Sequence, residues 1–153
     1  TLEPEKIKLF LRPSRQILSE DKEIIELAKS LTASLKDSYS KAKAIHDWVC
    51  TNIYYDATSG NNSVYDDDGV LIDTQASDYV LANKRAVCEG YANLYCALLR
   101  AAGIPAQVYT GLADGGGGWA PMPGQARISV SKNDGSSWIA RGIPGTAISM
   151  ENM

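Results

Sequence analysis

The chain of 153 residues is 44% hydrophobic and 22% charged, the balance of a globular domain, and it is long enough to bury most of its apolar surface around one core. Its net charge of -3 offers no basic field for nucleic acid or an anionic membrane, and no apolar run reaches the about 18 residues of a membrane-spanning helix. With 3 cysteines, no CxxC pair and 1 histidine, neither a disulfide framework nor a structural zinc site is expected.

Residues 5–12, EKIKLFLR, alternate Ile7, Leu9 and Leu11 with Lys6, Lys8 and Arg12. That period predicts an edge strand, interrupted by Phe10 and ended by Pro13. Ser19 is the expected N-cap of a first helix. Glu20, Asp21 and Glu23 then occupy the turn where the helix dipole favours acids, and Ile24, Leu27, Ala28 and Leu31 follow at helical spacing. A second helix is expected from about Ser40 to Ile53, with Ala44, Ile45, Trp48 and Val49 as its buried stripe. Cys50 in this helix, and Cys96 further on, have apolar neighbours and read as small buried hydrophobes.

The stretch Asp56–Thr74 is polar and long enough to suggest a functional loop. Its Asp66-Asp67-Asp68-Gly69 run fails the EF-hand pattern, because the first ligand position falls on Val64 and no Glu follows at the closing position. A solvated acidic turn is expected there instead. TQASDYVLAN, 74–83, predicts a short helix with Val80 and Leu81 inward. Cys88, Tyr91, Ala92, Tyr95, Leu98, Leu99 and Ala102 then trace a longer helix, closed by Gly103 in a left-handed cap and by Pro105. AQVYTG predicts a buried strand, and residues 112–124 a Gly/Pro loop. QARISVS and SSWIA predict a hairpin about Asp134-Gly135. The last dozen residues show no period. Helices first and strands after them indicate an α+β fold.

Cys88 begins its helix, where unpaired backbone N–H groups and the dipole favour a thiolate and can stabilise an oxyanion. Glu89 and Gly90 follow, and the small residue leaves the backbone of this turn approachable. The alternative at this point is a packing cysteine.

The segments SKAKAIHDWVCTNIYYD and ASDYVLANKRAVCEGYANLYCALLRAAGIPAQVYTG resemble the transglutaminase-like superfamily over residues 38–111. The resemblance implies a papain-like α+β fold, in which the Cys88 helix packs on an antiparallel sheet. It implies that Cys88 is the nucleophile in cleavage or exchange of amide bonds through a thioester. Tyr54 or Tyr55 falls near a family aromatic that flanks the oxyanion site. No cofactor and no metal are implied.

The family's base and orienting acid are absent from this chain. In the place of the strand histidine stands Gln125, which can donate a hydrogen bond but cannot accept a proton at neutral pH. After Trp138 the acid position falls on Arg141 or Gly142, and His46 lies on a helix that by resemblance does not line the site, as a partly exposed residue. The expected activity is therefore that of a thiol-dependent amide-bond hydrolase or acyl transferase on proteins or peptides, weak or inactive as written. The alternative is a non-catalytic domain that keeps the fold to bind peptide or protein, or to serve as a scaffold.

Two origins for the atypical part, from about Gly115, are open: natural divergence and a shifted reading frame. Joining the third base of each codon to the first two of the next requires alanine at Met122-Pro123 and aspartate at Trp138-Ile139. It permits histidine at Pro121-Met122, and tryptophan at Pro123-Gly124 and Asp134-Gly135. The hidden frame can thus spell the missing His-Ala-Trp and the later Trp and Asp. A tail translated out of frame was not selected to complete a sheet, so its apolar strands would be covered by a second copy of the chain. One domain over 1–153 is expected, with no nucleic-acid partner. By resemblance the protein belongs outside the cell or tethered to the membrane of a bacterium.

Overall fold

A computed structural model describes residues 3–56, 58 and 62–108 with their side chains, and beyond them the backbone of the strands alone. Five helices and ten strands are described: α1 (Pro4–Leu9), α2 (Lys22–Thr32), α3 (Ser38–Asn52), β1 (Tyr54–Tyr55), β2 (Val64–Tyr65), β3 (Leu71–Ile72), α4 (Ser77–Asn83), β4 (Arg85–Ala86), α5 (Cys88–Ala101), β5 (Ala106–Tyr109), β6 (Ala113–Asp114), β7 (Trp119–Ala120), β8 (Arg127–Ser131), β9 (Ser137–Arg141) and β10 (Ser149–Asn152).

The first element differs from the expected edge strand. Pro4 sits in the first helical turn, where its fixed φ is already helical and its missing N–H costs nothing, and Glu5 faces the positive end of the dipole. α1 buries no residue, so no packed face selects the strand period over the helical one. The Phe10 carbonyl, just beyond α1, still accepts from the Ala106 amide at 3.1 Å and ties this segment to the start of β5.

Local capping places the next two helices. The Asp21 carboxylate accepts from the amides of Glu23 and Ile24 at 3.0 and 3.2 Å, so Asp21 is the N-cap of α2 and the expected cap Ser19 is a buried residue before it. Asp37 does the same for α3 through the Ser40 amide at 2.9 Å. The buried stripe of α3 runs through Ala42, Ile45, His46 and Val49, displaced from the expected one by the inclusion of the histidine.

α5 is the axis of the core. Every residue from Gly90 to Leu99 is buried, and the helix touches α2, α3, α4, β5 and β8. It ends as its sequence requires, at Gly103 with φ +80°. Two tyrosine hydroxyls join it to α3, Tyr91 donating to the Ile53 carbonyl and Tyr95 to the Ala42 carbonyl at 3.0 Å. Arg100 closes its far end by donating to the carbonyls of Ala106 and Arg12 at 2.9 and 2.6 Å.

β5, β8, β9 and β10 form one antiparallel sheet in the order β10-β9-β8-β5. The expected hairpin is present as β8 and β9, in register Val130↔Trp138. The aperiodic end of the chain supplies β10, which pairs Ser149 with Arg141. The polar stretch after α3 carries the small β2–β3 hairpin, whose turn is the acidic run: Asp66 Oδ1 accepts from the Asp68 and Val70 amides at 3.0 and 2.8 Å, and Gly69 takes φ +77°. The architecture is α+β, with the helices packed about α5 against the sheet.

Candidate active site

β4 and α4 deliver Cys88 to the start of α5. Lys84 ends α4 in a left-handed conformation, φ 56°, and turns the chain into β4. β4 pairs in parallel with β1, Tyr54 with Arg85 and Tyr55 with Ala86. The Tyr54 amide donates to the Lys84 carbonyl at 2.8 Å and the Asp56 amide to the Ala86 carbonyl at 3.0 Å. Tyr54 and Tyr55 are thereby held beside the segment that enters the Cys88 turn. Both rings are exposed; Tyr54 lies under the Arg85 guanidinium at 5.9 Å, and Tyr55 faces the Tyr91 ring at 6.3 Å.

Cys88 is the first residue of α5 and is half-buried. Burial pushes its thiol above the ordinary range; the Glu89 carboxylate adds to this, while hydrogen bonds from the Glu89 amide and from its own N–H act against it. The helix start favours the thiolate in the sense expected from sequence, but desolvation outweighs it.

The rest of the turn is tightly built. Gln75 Oε1 accepts from the Val87 and Gly90 amides, both at 3.1 Å. A Cβ on Gly90 would stand 2.6 Å from that oxygen, 2.6 Å from Ala86 Cβ and 2.8 Å from Val80 Cγ2. The glycine therefore makes room for the protein's own groups and not for a substrate, as the sequence had suggested. On the flank, Gln16 Nε2 donates to Asp73 Oδ2 at 2.9 Å and to Glu89 Oε1 at 3.0 Å. A cavity of about 490 Å³ opens there, lined in part by Gln16, Asp73, Glu89 and Asn93.

His46 is not the base of Cys88. It is buried, against the partial exposure expected from sequence, and its ring is committed elsewhere. Nδ1 donates to the Asp47 carboxylate at 2.9 Å, which leaves Nε2 to accept from the Cys50 thiol at 3.6 Å. The ring edge lies against Tyr95 at 6.0 Å. Lys43 in turn pairs with Asp47 at 2.7 Å, so positions 43, 46, 47 and 50 form one polar stripe along α3. For Asp47, burial would raise the carboxyl, yet the hydrogen bonds from Lys43 and His46 outweigh it and hold it below its usual range. Cys50 is thus a half-buried, hydrogen-bonded thiol rather than a buried hydrophobe, and burial, with the charge of Asp47, pushes it up. Cys96 is fully buried, as its neighbours predict.

Gln125, Gly142 and the side chain of Arg141 lie outside the described residues. Among the described residues no group of three or more His, Cys, Asp or Glu could hold a metal ion, and no helix is long and apolar enough to cross a membrane. Sequence reasoning missed Gln75, Asn93 and Gln16. The available signal was the apolar Val87 before a helix start, since a helix whose N-cap has no polar atom must be capped from elsewhere.

A cysteine opening the central helix, with a strand pair on one side and an antiparallel sheet on the other, defines a papain-like thiol fold. The sequence pattern of the transglutaminase-like superfamily matches residues 25–143, and the chain belongs to that superfamily. It is 27% identical over 117 residues, 74% of its length, to the uncharacterized protein YebA of Bacillus subtilis (strain 168), of which it spans 15%. Its fold is similar to the crystal structure of "a Putative Cysteine Protease from Cytophaga hutchinsonii", with a TM-score of 0.68, 23% identity and coverage of 99% of this chain and 46% of that one. A second similar structure, "a Putative Protease from Parabacteroides distasonis ATCC 8503", gives a TM-score of 0.55 at 20% identity, covering 90% of this chain and 25% of that one. At these identities the likeness is one of fold, and the chain spans less than half the length of each relative.

Proposed function

We propose that this domain is a cysteine-nucleophile domain that acts on amide carbonyls of proteins or peptides, with Cys88 forming the acyl-enzyme and with turnover slow in the chain as written. The observation that carries the reading is the position of Cys88, half-buried, as the first residue of α5, where the helix start offers backbone N–H groups to an oxyanion. The sulfur attacks the carbonyl carbon, an S–C bond forms, the C–N bond breaks, and the thiol proton leaves with the amine. Water or a second amine then takes the acyl group. Tyr54 and Tyr55, beside the entering strand, line the approach.

Slow turnover follows from the missing base. General-base help is worth about 10²–10⁴ in rate. The chain has 1 histidine, and that histidine serves Asp47 and Cys50. An activated peptide ester, which needs little help in expelling its leaving group, is the informative substrate. The expected result is a mass increase of one acyl group on Cys88, absent in Cys88→Ala and released by hydroxylamine. Acylation that is unchanged in Cys88→Ala overturns the reading.

The commitment of His46 also favours a second reading, a domain that keeps the cleft to bind peptide or protein without turnover. Peptide binding that persists in Cys88→Ala, with no acyl adduct on the wild-type chain, would select it.

A further inference from the structure

We propose that Gln75 is the positioning residue of the Cys88 turn: its side-chain oxygen takes the amides of Val87 and Gly90, and so reserves those of Cys88 and Glu89 for the sulfur and a substrate carbonyl oxygen. The inference rests on Cys88 being the nucleophile. A helix leaves its first four N–H groups without partners inside the helix. In α5 these belong to Val87, Cys88, Glu89 and Gly90, because the Tyr91 amide already bonds the Val87 carbonyl at 3.1 Å. The N-cap Val87 has no polar side-chain atom with which to satisfy any of them.

Gln75 supplies the cap from another part of the chain, and only for the outer two donors. Oε1 lies 3.1 Å from both the Val87 and the Gly90 nitrogen. Oε1 takes neither of the inner two, on Cys88 and Glu89, which stand in the same turn as the Cys88 sulfur. The division is held rigidly. Gln75 is 6% exposed. Its carbonyl accepts from Asn93 Nδ2 at 2.9 Å, its backbone amide donates to Asp73 Oδ1 at 3.0 Å, and its side-chain Nε2 donates to Thr74 Oγ1 at 3.2 Å. Because two N–H donors face it, the Gln75 amide must present its oxygen and not its Nε2 to α5. Gly90 completes the arrangement, because any Cβ there would occupy the place of the oxygen.

Residue-resolved amide hydrogen exchange on the intact chain reads the division directly. The Val87 and Gly90 amides are expected to exchange at least about tenfold more slowly than those of Cys88 and Glu89, the worth of one net hydrogen bond. Gln75→Met keeps the length of the side chain and removes the acceptor. It is expected to abolish that difference and to slow iodoacetamide alkylation of Cys88 by roughly threefold or more, since the thiolate fraction sets the rate. Cys50, read in the same digest, serves as the unchanged control. Gln75→Glu, which keeps an acceptor in place, should restore slow exchange at Val87 and Gly90. Equal exchange at the four amides of the wild-type chain overturns the role of Gln75, and so does a folded Gln75→Met chain that keeps the wild-type alkylation rate. If Gln75→Met does not fold, the wild-type exchange pattern decides alone. The nucleophile reading fails separately, if the peptide ester acylates the Cys88→Ala chain as it does the wild-type chain.

Discussion

At the scale of single residues, the three thiols have three environments and should titrate apart. Burial penalises the thiolate in each, most in Cys96, whose pKa is pushed up to about 12. Cys88 and Cys50 are raised less far, by half-burial and a neighbouring carboxylate. Site-resolved alkylation of the native chain should therefore show Cys88 still gaining rate above the free-thiol value of about 8.5, with Cys96 inert over the same range. Because the folded chain holds these protons more tightly than the unfolded one, their contribution to stability is complete below the unfolded thiol value. It is lost as pH rises through the folded values. Native Cys88 titrating below a free thiol would contradict this account. Cys88 itself was legible from its place before a helical period. The environment of His46 was not, because i to i+4 spacing to Cys50 identifies neighbours on a helix but not whether that face turns inward.

At the scale of elements, the amphipathic periods located α2, α3, α4 and α5, since 3.6-residue spacing of apolar side chains is a property of the chain itself. Their ends depended on which of several polar residues reached the free amides. Ser19, Glu20 and Asp21 all preceded α2, and only Asp21 caps it. Asp21→Ala is expected to cost about 1 kcal/mol of stability, measured by urea denaturation, with no change in Cys88 alkylation. An Asp21→Ala chain as stable as wild type would place the start of α2 elsewhere. α1 shows the converse: over six residues the two periods are hard to tell apart, and the proline at its start decided for helix.

At the scale of the whole molecule, the resemblance puts the missing base in the tail, and the gene can be asked why. If the tail is out of frame, codon 121 ends in C. Moving the frame back from near Gly115 then yields His-Ala, followed by Trp where codon 123 ends in T, and with the histidine an acyl transfer rate about 10²–10⁴ higher on the same ester. Sequencing that codon checks it: any other third base leaves natural divergence as the origin, and a chain with the restored frame that gains no rate removes the base from the mechanism. The superfamily match runs on to residue 143, across β8 and β9, so it takes in the atypical part from about Gly115 up to that residue.

The linear order of residues was sufficient for the family, the α+β class and the placing of Cys88 at a helix start, because each rests on local spacing or on a contiguous motif. Three things were decided only in three dimensions. Desolvation raises the Cys88 thiol against the pull of its helix, the histidine turns to Cys50, and a glutamine from before α4 accepts from the Val87 and Gly90 amides. The glutamine contact depends on groups apart in the chain being brought within hydrogen-bond reach, and the other two on which side chains are taken away from water, and no spacing along the sequence records which face of a helix the core will cover.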